Sequence, residues 1–218
     1  MCANANEDLL HIDNVFTNLL NNISRLLPME LLRDNINKDV KSVELFSTEP
    51  SLNFSECWTE WRLDHIVCWM YTKSLRYLPM LVRQWWSTAG SKVSVAIDKI
   101  TTHYISPMLR REELLKNKLH DIENIQVKVH PAFREVIASY QIGDTKLELN
   151  IMLSPNHLLE PTTVECEQYA GGANLRNCHI QLSVFPAHQN KSIYSGLVSR
   201  KRSLDKKIRW CIGMLHMS

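Results

Sequence analysis

Histidine and cysteine are the residues of this chain that could hold a metal ion or act as nucleophiles. The sequence contains nine histidines and six cysteines, scattered over 218 residues. A zinc site with local ligands shows closely spaced pairs such as Cys-x-x-Cys, whereas Cys57 and Cys68 lie eleven positions apart without a His-x-x-x-His nearby. We therefore expect reduced, mostly buried cysteines, and neither a metal site nor a cofactor in this chain.

The signatures of nucleophilic and nucleotide-dependent enzymes are missing from the sequence. It has no Gly-x-Ser-x-Gly, no phosphate-binding P-loop and no dinucleotide fingerprint, and its six glycines are too isolated to cradle phosphate. We interpret His65, on an aromatic stripe, as a core histidine with one satisfied nitrogen. His157 lies in a proline-flanked loop and is interpreted as a turn residue. The sequence thus predicts no catalytic residue.

A basic segment near the carboxyl end is the most informative candidate for binding. Between residues 199 and 209 the only acid, Asp205, stands among six basic residues, namely Arg200, Lys201, Arg202, Lys206, Lys207 and Arg209. On a helical wheel Ile193, Leu197, Leu204 and Ile208 fall within about 60°, and the basic side chains fall opposite or beside them. This pattern favours contact with a phosphate backbone or an acidic protein surface. The alternative is a solvated helix face without a partner.

Six tryptophans could form a stacking platform for a ligand, but their setting favours a core role. They are Trp58, Trp61, Trp69, Trp85, Trp86 and Trp210. At helical spacing beside leucine and isoleucine, such rings usually pack inside the protein. Trp85 and Trp86 occupy adjacent helical positions and cannot both point inward. One of these two is therefore expected at an interface.

Composition and charge place these candidates in a soluble protein with two different halves. The chain is 44% hydrophobic and 22% charged, which is ordinary for a protein that buries a core. No apolar run approaches the roughly 18 residues of a membrane span, and the acidic first residues do not resemble a signal peptide. We expect a cytosolic protein. Residues 1–106 carry a net charge of −2 and residues 107–218 one of +4, which suggests segments with different partners.

The elements of the first half are predicted to be helical. Apolar residues at steps of three and four predict a helix over residues 7–27, which Pro28 ends. A second helix is predicted from about Glu56 to Leu75. After Pro79 a single apolar stripe from Val82 to Tyr104 predicts a third helix. Short connections between these helices favour antiparallel pairs.

In the second half the hydrophobic period changes from 3.6 to 2. After a charged helix over residues 110–120, alternation predicts strands around residues 125–129, 136–140 and 147–153, with a weaker one over 162–167. Gly143-Asp144 predicts a tight hairpin turn. Helices are predicted over residues 174–188 and 193–209. The sequence therefore predicts an α+β fold, with an antiparallel sheet covered by helices on one face.

Several blocks of sequence together resemble listerin-type ubiquitin ligases. The similar blocks are Leu78–Trp86, Tyr104–Pro107, Leu109–Glu112, Arg134–Tyr140, Leu147–Leu149, Leu153–Leu159, His188–Ile193 and Asp205–Lys207. They occur in the family's order and cover roughly residues 70–210, while the residues before them match only in helical character. The resemblance implies a HEAT-like helical-repeat segment over residues 1–106 and an RWD domain, built like a ubiquitin-conjugating enzyme without the catalytic cysteine, over residues 107–210.

The resemblance also implies a function in ribosome-associated quality control. Ligases of this family dock on large ribosomal subunits and ubiquitinate stalled nascent chains for degradation, with a RING that recruits a ubiquitin-conjugating enzyme. RING ligases position a charged carrier beside an amine, so docking and scaffolding without catalytic side chains fit that mechanism. In this reading the basic segment contacts ribosomal RNA or a ribosomal protein, and the chain functions away from membranes.

Three departures from the family pattern are visible. The RWD loop of the family carries tyrosine where His157 stands, so the loop's packing against the sheet does not follow from the resemblance. Pro186 interrupts a helix that the family continues. The family's zinc-binding RING begins with Cys-x-x-Cys, whereas Cys211 is followed by Met214 within the tail 211–218. We expect this chain to lack the RING and its zinc, and to be inactive alone.

Two other interpretations remain open at the level of sequence. One is a non-enzymatic interaction module, made of helical repeats and an RWD domain, with protein partners only. The other is a degenerate conjugating enzyme with transferase activity through Cys166 or Cys178. Motif content rather than fold separates the three, because one fold serves many functions.

Overall fold

The chain forms two compact units, each described here by itself. The computed structural model describes residues 2–32, 40–50, 63–119, 124–142, 145–169, 193–199 and 201–202. The helical unit comprises Met1–Leu109 with Pro155–Glu160, and the sheet unit comprises Arg110–Ser154 with Pro161–Ser218. Within the described ranges, no helix combines the length and the apolar character needed to cross a membrane.

The first half of the chain is helical, as predicted. Its helices are α1 (Cys2–Leu26), α2 (Val40–Ser47), α3 (Leu63–Tyr77), α4 (Pro79–Thr88), α5 (Ser91–Ile100) and α6 (Ser106–Leu119), with a 3-10 turn at Met29–Leu32 and a π-helical turn at Thr101–Ile105. Pro28 follows the end of α1, and Pro79 occupies the first turn of α4, where a missing N–H costs nothing. The amino-terminal part of the predicted second helix, residues 56–62, lies outside the described residues.

The prediction of one helix from Val82 to Tyr104 was wrong. The chain leaves the helical conformation at Ala89, whose φ of −68° and ψ of 149° are extended, and Gly90 precedes the new helix α5. The break shifts which helical positions face the core. Ile97 is therefore fully buried, whereas Ala96, which belonged to the predicted apolar stripe, is half-buried. Glycine is unfavourable in the interior of a helix but is tolerated at the N-cap, the position that Gly90 occupies in α5.

The core of the helical unit forms where α1, α2, α3, α4 and α5 meet. Its fully buried side chains include Leu20, Phe46, Cys68, Tyr71, Leu75, Val82, Ile97, Ile100 and Ile105. The π-helical turn presents Tyr104 to this core, where its ring stacks on Phe46 with centroids 5.4 Å apart. The Tyr104 hydroxyl donates to the Leu31 carbonyl at 3.0 Å. The ring of Tyr104 is therefore packed against an apolar partner while its hydroxyl has a hydrogen-bond acceptor.

The segment Pro155–Glu160 completes the helical unit although it follows β3 in sequence. Leu159 is 1% exposed and belongs to the helical core. The Asn156 amide donates to Asp98 Oδ1 at 2.7 Å, and Arg83 Nε donates to the Leu158 carbonyl at 2.8 Å. His157 is a loop residue, as predicted, and it is buried. The packing of its loop, which did not follow from the resemblance, is with the helices, through Leu159.

The sheet has four antiparallel strands, which confirms the prediction. They are β1 (Ile125–His130), β2 (Glu135–Ile142), β3 (Thr145–Met152) and β4 (Thr163–Tyr169), in the order β1-β2-β3-β4. Ile142 pairs with Thr145, which leaves two residues for the connection between β2 and β3. That connection, Gly143-Asp144, lies outside the described residues.

One face of the sheet is buried, as strict alternation along the strands requires. In β1 the half-buried residues alternate with exposed ones. Val136, Ala138, Tyr140, Leu149 and Ile151 continue this inner face on β2 and β3. Leu114 of α6 and Leu197, from a helical segment at residues 193–199, cover it. The α+β architecture is therefore confirmed. The predicted helix over 174–188 and the tail 211–218 lie outside the described residues.

Candidate functional site

The predicted basic helix begins on the covered face of the sheet. Residues 193–199 are helical and are named α7 here. Leu197 is 3% exposed, and the partly buried Ile193, Tyr194 and Val198 pack against the same core. This confirms that the apolar side of the helix faces inward at its start. Leucine at this position anchors the helix by removing apolar surface from water.

A carboxylate of α6 accepts a hydrogen bond from the backbone of α7. Glu113 Oε1 of α6 accepts a hydrogen bond from the Ile193 backbone N–H at 2.5 Å. A hydrogen bond between a carboxylate and a backbone N–H is stronger than one between neutral groups. The Glu113 contact therefore ties α7 to α6.

Two of the six predicted basic residues fall in the described part of the chain. Lys201 and Arg202 are helical, with Lys201 half-buried and Arg202 exposed. Arg202 follows Leu197 by five positions, which places it away from the buried stripe. Arg200, Lys206, Lys207 and Arg209 lie outside the described residues. Arg202 alone is exposed among the two described basic residues, and a basic side that contacts a partner stays a prediction.

The tryptophans and His65 mostly have structural roles in the described region. Trp85 is 4% exposed, and its Nε1 donates to Asn21 Oδ1 at 2.9 Å. Trp86 is partly buried, and its Nε1 donates to the Ser94 carbonyl at 3.1 Å. Trp85 thus confirms the core interpretation.

His65 is half-buried, and its Nε2 contacts the Thr48 hydroxyl and carbonyl, each at 3.1 Å. One of its ring nitrogens is therefore satisfied, as predicted.

Metal-ligating groups do not converge in the portion of the chain that the structure describes. Within it, no group of three or more histidine, cysteine, aspartate or glutamate residues is arranged to hold a metal ion. Cys68 lies buried in the helical core and forms no disulfide. Burial in apolar surroundings disfavours the charged thiolate, which is the nucleophilic form of cysteine.

A second basic feature, at the tip of the β1–β2 hairpin, was missed by sequence reasoning. Burial lowers the pKa of Arg110, and the positive charge of Arg134 lowers it further. Arg134 has a φ of 59° and ψ of 34°, in the left-handed region, and the adjacent Phe133 is 70% exposed. The sequence block beginning at Arg134 indicated a strand, and no local signal marked this residue as the end of a turn.

Two protein-family models match the chain, one over its helical part and one over the part that contains the sheet. Residues 6–116 match the family model described as "LTN1 family HEAT repeat region". Residues 125–207 match the model described as "Ubiquitin conjugating domain-like". The first match runs from within α1 to within α6, and the second begins at the first residue of β1 and includes α7.

Curated relatives name the same family. The chain is 44% identical to the E3 ubiquitin-protein ligase listerin of Drosophila melanogaster over 148 residues, which is 66% of this chain and 8% of that protein. It is 31% identical to listerin of Xenopus tropicalis over 214 residues, with 92% and 13% covered. Listerin of Mus musculus is 32% identical over 214 residues, with 91% and 12% covered. The chain thus spans about a tenth of these relatives, and it belongs to the listerin family of ubiquitin ligases.

Proposed function

We propose that this chain seats a listerin-type ubiquitin ligase on large ribosomal subunits, so that stalled nascent chains are ubiquitinated for degradation in the cytosol. The observation that carries the proposal is the anchoring of α7. Its apolar side is buried at Leu197, Glu113 accepts a hydrogen bond from the Ile193 N–H, and Arg202 is exposed. A rigidly held helix with a cationic outer side suits a polyanionic surface such as ribosomal RNA.

In this proposal the sheet unit serves as the platform for that helix. We assign residues 107–210 to an RWD domain, because a ubiquitin-conjugating-like match coincides with a four-stranded antiparallel sheet. In this proposal a RING recruits the ubiquitin-conjugating enzyme and its zinc organises that RING, whereas residues 1–210 supply position. Catalysis by such a scaffold consists of holding two reactants in the correct geometry.

Charge reversal within the basic segment, residues 199–209, tests the docking proposal. Arg202, Lys206 and Arg209 are changed together to glutamate, and the variant is sedimented with purified large ribosomal subunits. We expect binding to be lost while folding is nearly unchanged, because exposed substitutions usually alter stability by less than about 0.5 kcal/mol each. Binding of the parent chain should also weaken steeply between low and moderate salt, since phosphate contacts release counterions.

A matched triple reversal in the helical unit is the control. Arg25, Lys92 and Lys99 are basic and exposed there, and their change to glutamate alters the net charge by the same amount. This variant should sediment like the parent. Equal sedimentation of both triple variants would refute docking through α7. Equal loss of binding by both would indicate an effect of net charge alone and would also refute it.

A further inference from the structure

One edge of the sheet is open in the part of the chain that the structure describes. β1 stands at the end of the strand order and pairs with β2 alone. None of the residues of β1 is buried, whereas Val136, Ala138 and Tyr140 of β2 are. Among the described residues, β1 forms no backbone–backbone hydrogen bond outside its pairing with β2. An edge strand of this kind leaves main-chain donors and acceptors available to a partner.

The phase of the hydrogen-bond ladder identifies which backbone groups of β1 point outward. The Leu153 N–H donates to the Arg134 carbonyl at 2.9 Å. These two residues form the next pair along the β2–β3 register after Glu135 and Met152. Hydrogen-bonded and non-hydrogen-bonded pairs alternate along an antiparallel ladder, so even-numbered residues of β2 bond to β3 and odd-numbered ones bond to β1. The odd-numbered residues of β2 pair with even-numbered residues of β1. The N–H and C=O groups that point away from the sheet therefore belong to Ile125, Val127 and Val129.

The side chains of β1 leave these outward groups accessible. Ile125, Val127 and Val129 pack with the core on the covered face of the sheet. Lys128 and His130 are exposed on the opposite face. Lysine on an edge strand discourages the pairing of two copies edge to edge. The edge therefore suits a strand of another chemistry better than a second β1.

A cavity of about 420 Å³ adjoins the start of this edge. It is lined by Asn124, Ile125, Gln126, Ser139 and Gln141. Amide and hydroxyl side chains both donate and accept hydrogen bonds. The cavity therefore suits an uncharged polar side chain of a strand that lies along β1.

We propose that an extended polypeptide adds to the free edge of β1, with main-chain hydrogen bonds to Ile125, Val127 and Val129 and a polar side chain in the cavity beside Gln126 and Gln141. Main-chain hydrogen bonds give such a complex affinity that depends little on sequence, and a side-chain cavity adds a preference. In the function proposed above, the stalled nascent chain is such a polypeptide, and for that identification alone the inference rests on the proposed function.

A short fluorescent peptide of alternating threonine and valine tests the proposal with the full chain, by anisotropy and without ribosomes. The parent should bind this peptide. A peptide with the same side chains and every amide nitrogen methylated should not bind, because it has no N–H donor for the outward carbonyls of β1.

A substitution at Val127 tests the same contact from the side of the protein. Val127→Pro removes the central outward N–H but no bond between β1 and β2, and proline is tolerated where the N–H of an edge strand faces solvent. Binding should weaken about tenfold, the effect of one lost hydrogen bond. Val127→Ala is the matched control, since it shortens the side chain and keeps the N–H, and it should bind like the parent. If circular dichroism shows Val127→Pro to be unfolded, the two peptides on the parent decide alone.

The outcomes separate this proposal from docking through the basic segment. Equal binding of both peptides by the parent, or binding of neither, would overturn it. Equal binding of the unmethylated peptide by folded Val127→Pro and Val127→Ala would also show that the edge is not the site. Self-association of the parent in sedimentation, abolished by Val127→Pro, would make a second copy the occupant and overturn the proposal. The triple reversal of Arg202, Lys206 and Arg209 should bind the peptide like the parent, so failure of ribosome docking and failure of peptide binding are distinguishable.

Discussion

The side-chain amide of Asn156 donates a hydrogen bond of 2.7 Å to the carboxylate of Asp98, across 58 positions of sequence. Asn156 is 3% exposed, and Asp98 lies on α5. Hydrogen bonds with a charged partner are stronger than neutral ones, and a buried partner left unsatisfied costs free energy. This contact ties the segment Pro155–Glu160 into the helical unit.

Removing that amide should destabilise the helical unit. We expect Asn156→Ala to lower the free energy of unfolding by about 1 to 3 kcal/mol, since Asp98 loses a buried donor. Urea unfolding followed by tryptophan fluorescence measures the change. Glu160→Ala, at an exposed position of the same segment, is the control and should change stability by less than about 0.5 kcal/mol. Equal stability of the two variants would contradict a structural role for the Asn156 contact.

Leu159 should be the most sensitive residue of this segment. It is 1% exposed in the helical core, and leucine-to-alanine changes in cores cost about 2 to 5 kcal/mol. Hydrogen exchange provides the local measurement, because backbone amides of α4 and α5 should exchange faster in Leu159→Ala. Met152→Ala, at a position of the sheet unit that is 43% exposed, should leave those amides unchanged. Unaltered exchange in both variants would show that the segment adds nothing to the helices.

Tyr71 should make stability depend on alkaline pH. Burial raises the pKa of Tyr71, although its hydrogen bond of 2.8 Å with Thr101 acts in the opposite direction. Because the folded-state pKa is raised, this contribution to stability is complete below the unfolded pKa of about 10 and is lost as pH rises above it. The decline for one proton approaches about 1.4 kcal/mol per pH unit.

Urea unfolding at about pH 9 and about pH 11 measures this dependence. Tyr71→Phe should be less stable than the parent at the lower pH, by about 0.5 to 1.5 kcal/mol for the lost hydrogen bond, but should lose less stability as pH rises. Tyr77→Phe, at a position that is 65% exposed, should keep the parent's decline. A parent-like alkaline decline in Tyr71→Phe would rule out the linkage.

Glu113 should determine how firmly α7 is held. Glu113→Ala removes the acceptor of the Ile193 N–H, and we expect the start of α7 to lose about 1.5 to 3 kcal/mol of local stability, the range for bonds to charged groups. Hydrogen exchange at the Ile193 amide measures this loss directly. Glu113→Gln keeps an acceptor without the charge, so it should retain part of the protection. The same exchange rate in all three proteins would mean that the contact does not anchor α7.

Sequence periodicity predicted the sheet well because burial there repeats locally. Alternate residues of β1 are half-buried and exposed, and the short connection between β2 and β3 follows from the residue types at Gly143-Asp144. The same reasoning placed Leu197 on the inner side of α7. In each case the signal lies within a few neighbouring residues.

The missed features depend on residues far apart in sequence. Asn156 acquires its role from Asp98, and the pKa of Arg110 on α6 is lowered by burial and by the charge of Arg134, which lies between β1 and β2. The break at Ala89–Gly90 was missed because the apolar stripe continues across it with nearly helical spacing. Periodicity detects a buried face but not a change in the direction of the chain, nor a contact that tertiary structure creates.

The discontinuity of the helical unit has a consequence for its synthesis. Its core includes Leu159, which follows Leu109, the last residue of the unit's first segment, only after β1, β2 and β3 have been made. Domains commonly fold from the amino terminus during translation, but here the last core side chain arrives late. The helices should therefore reach their final protection from proteases only after Glu160 has left the ribosome, and nascent chains ending at Leu109 should be cleaved more readily than those that include the segment.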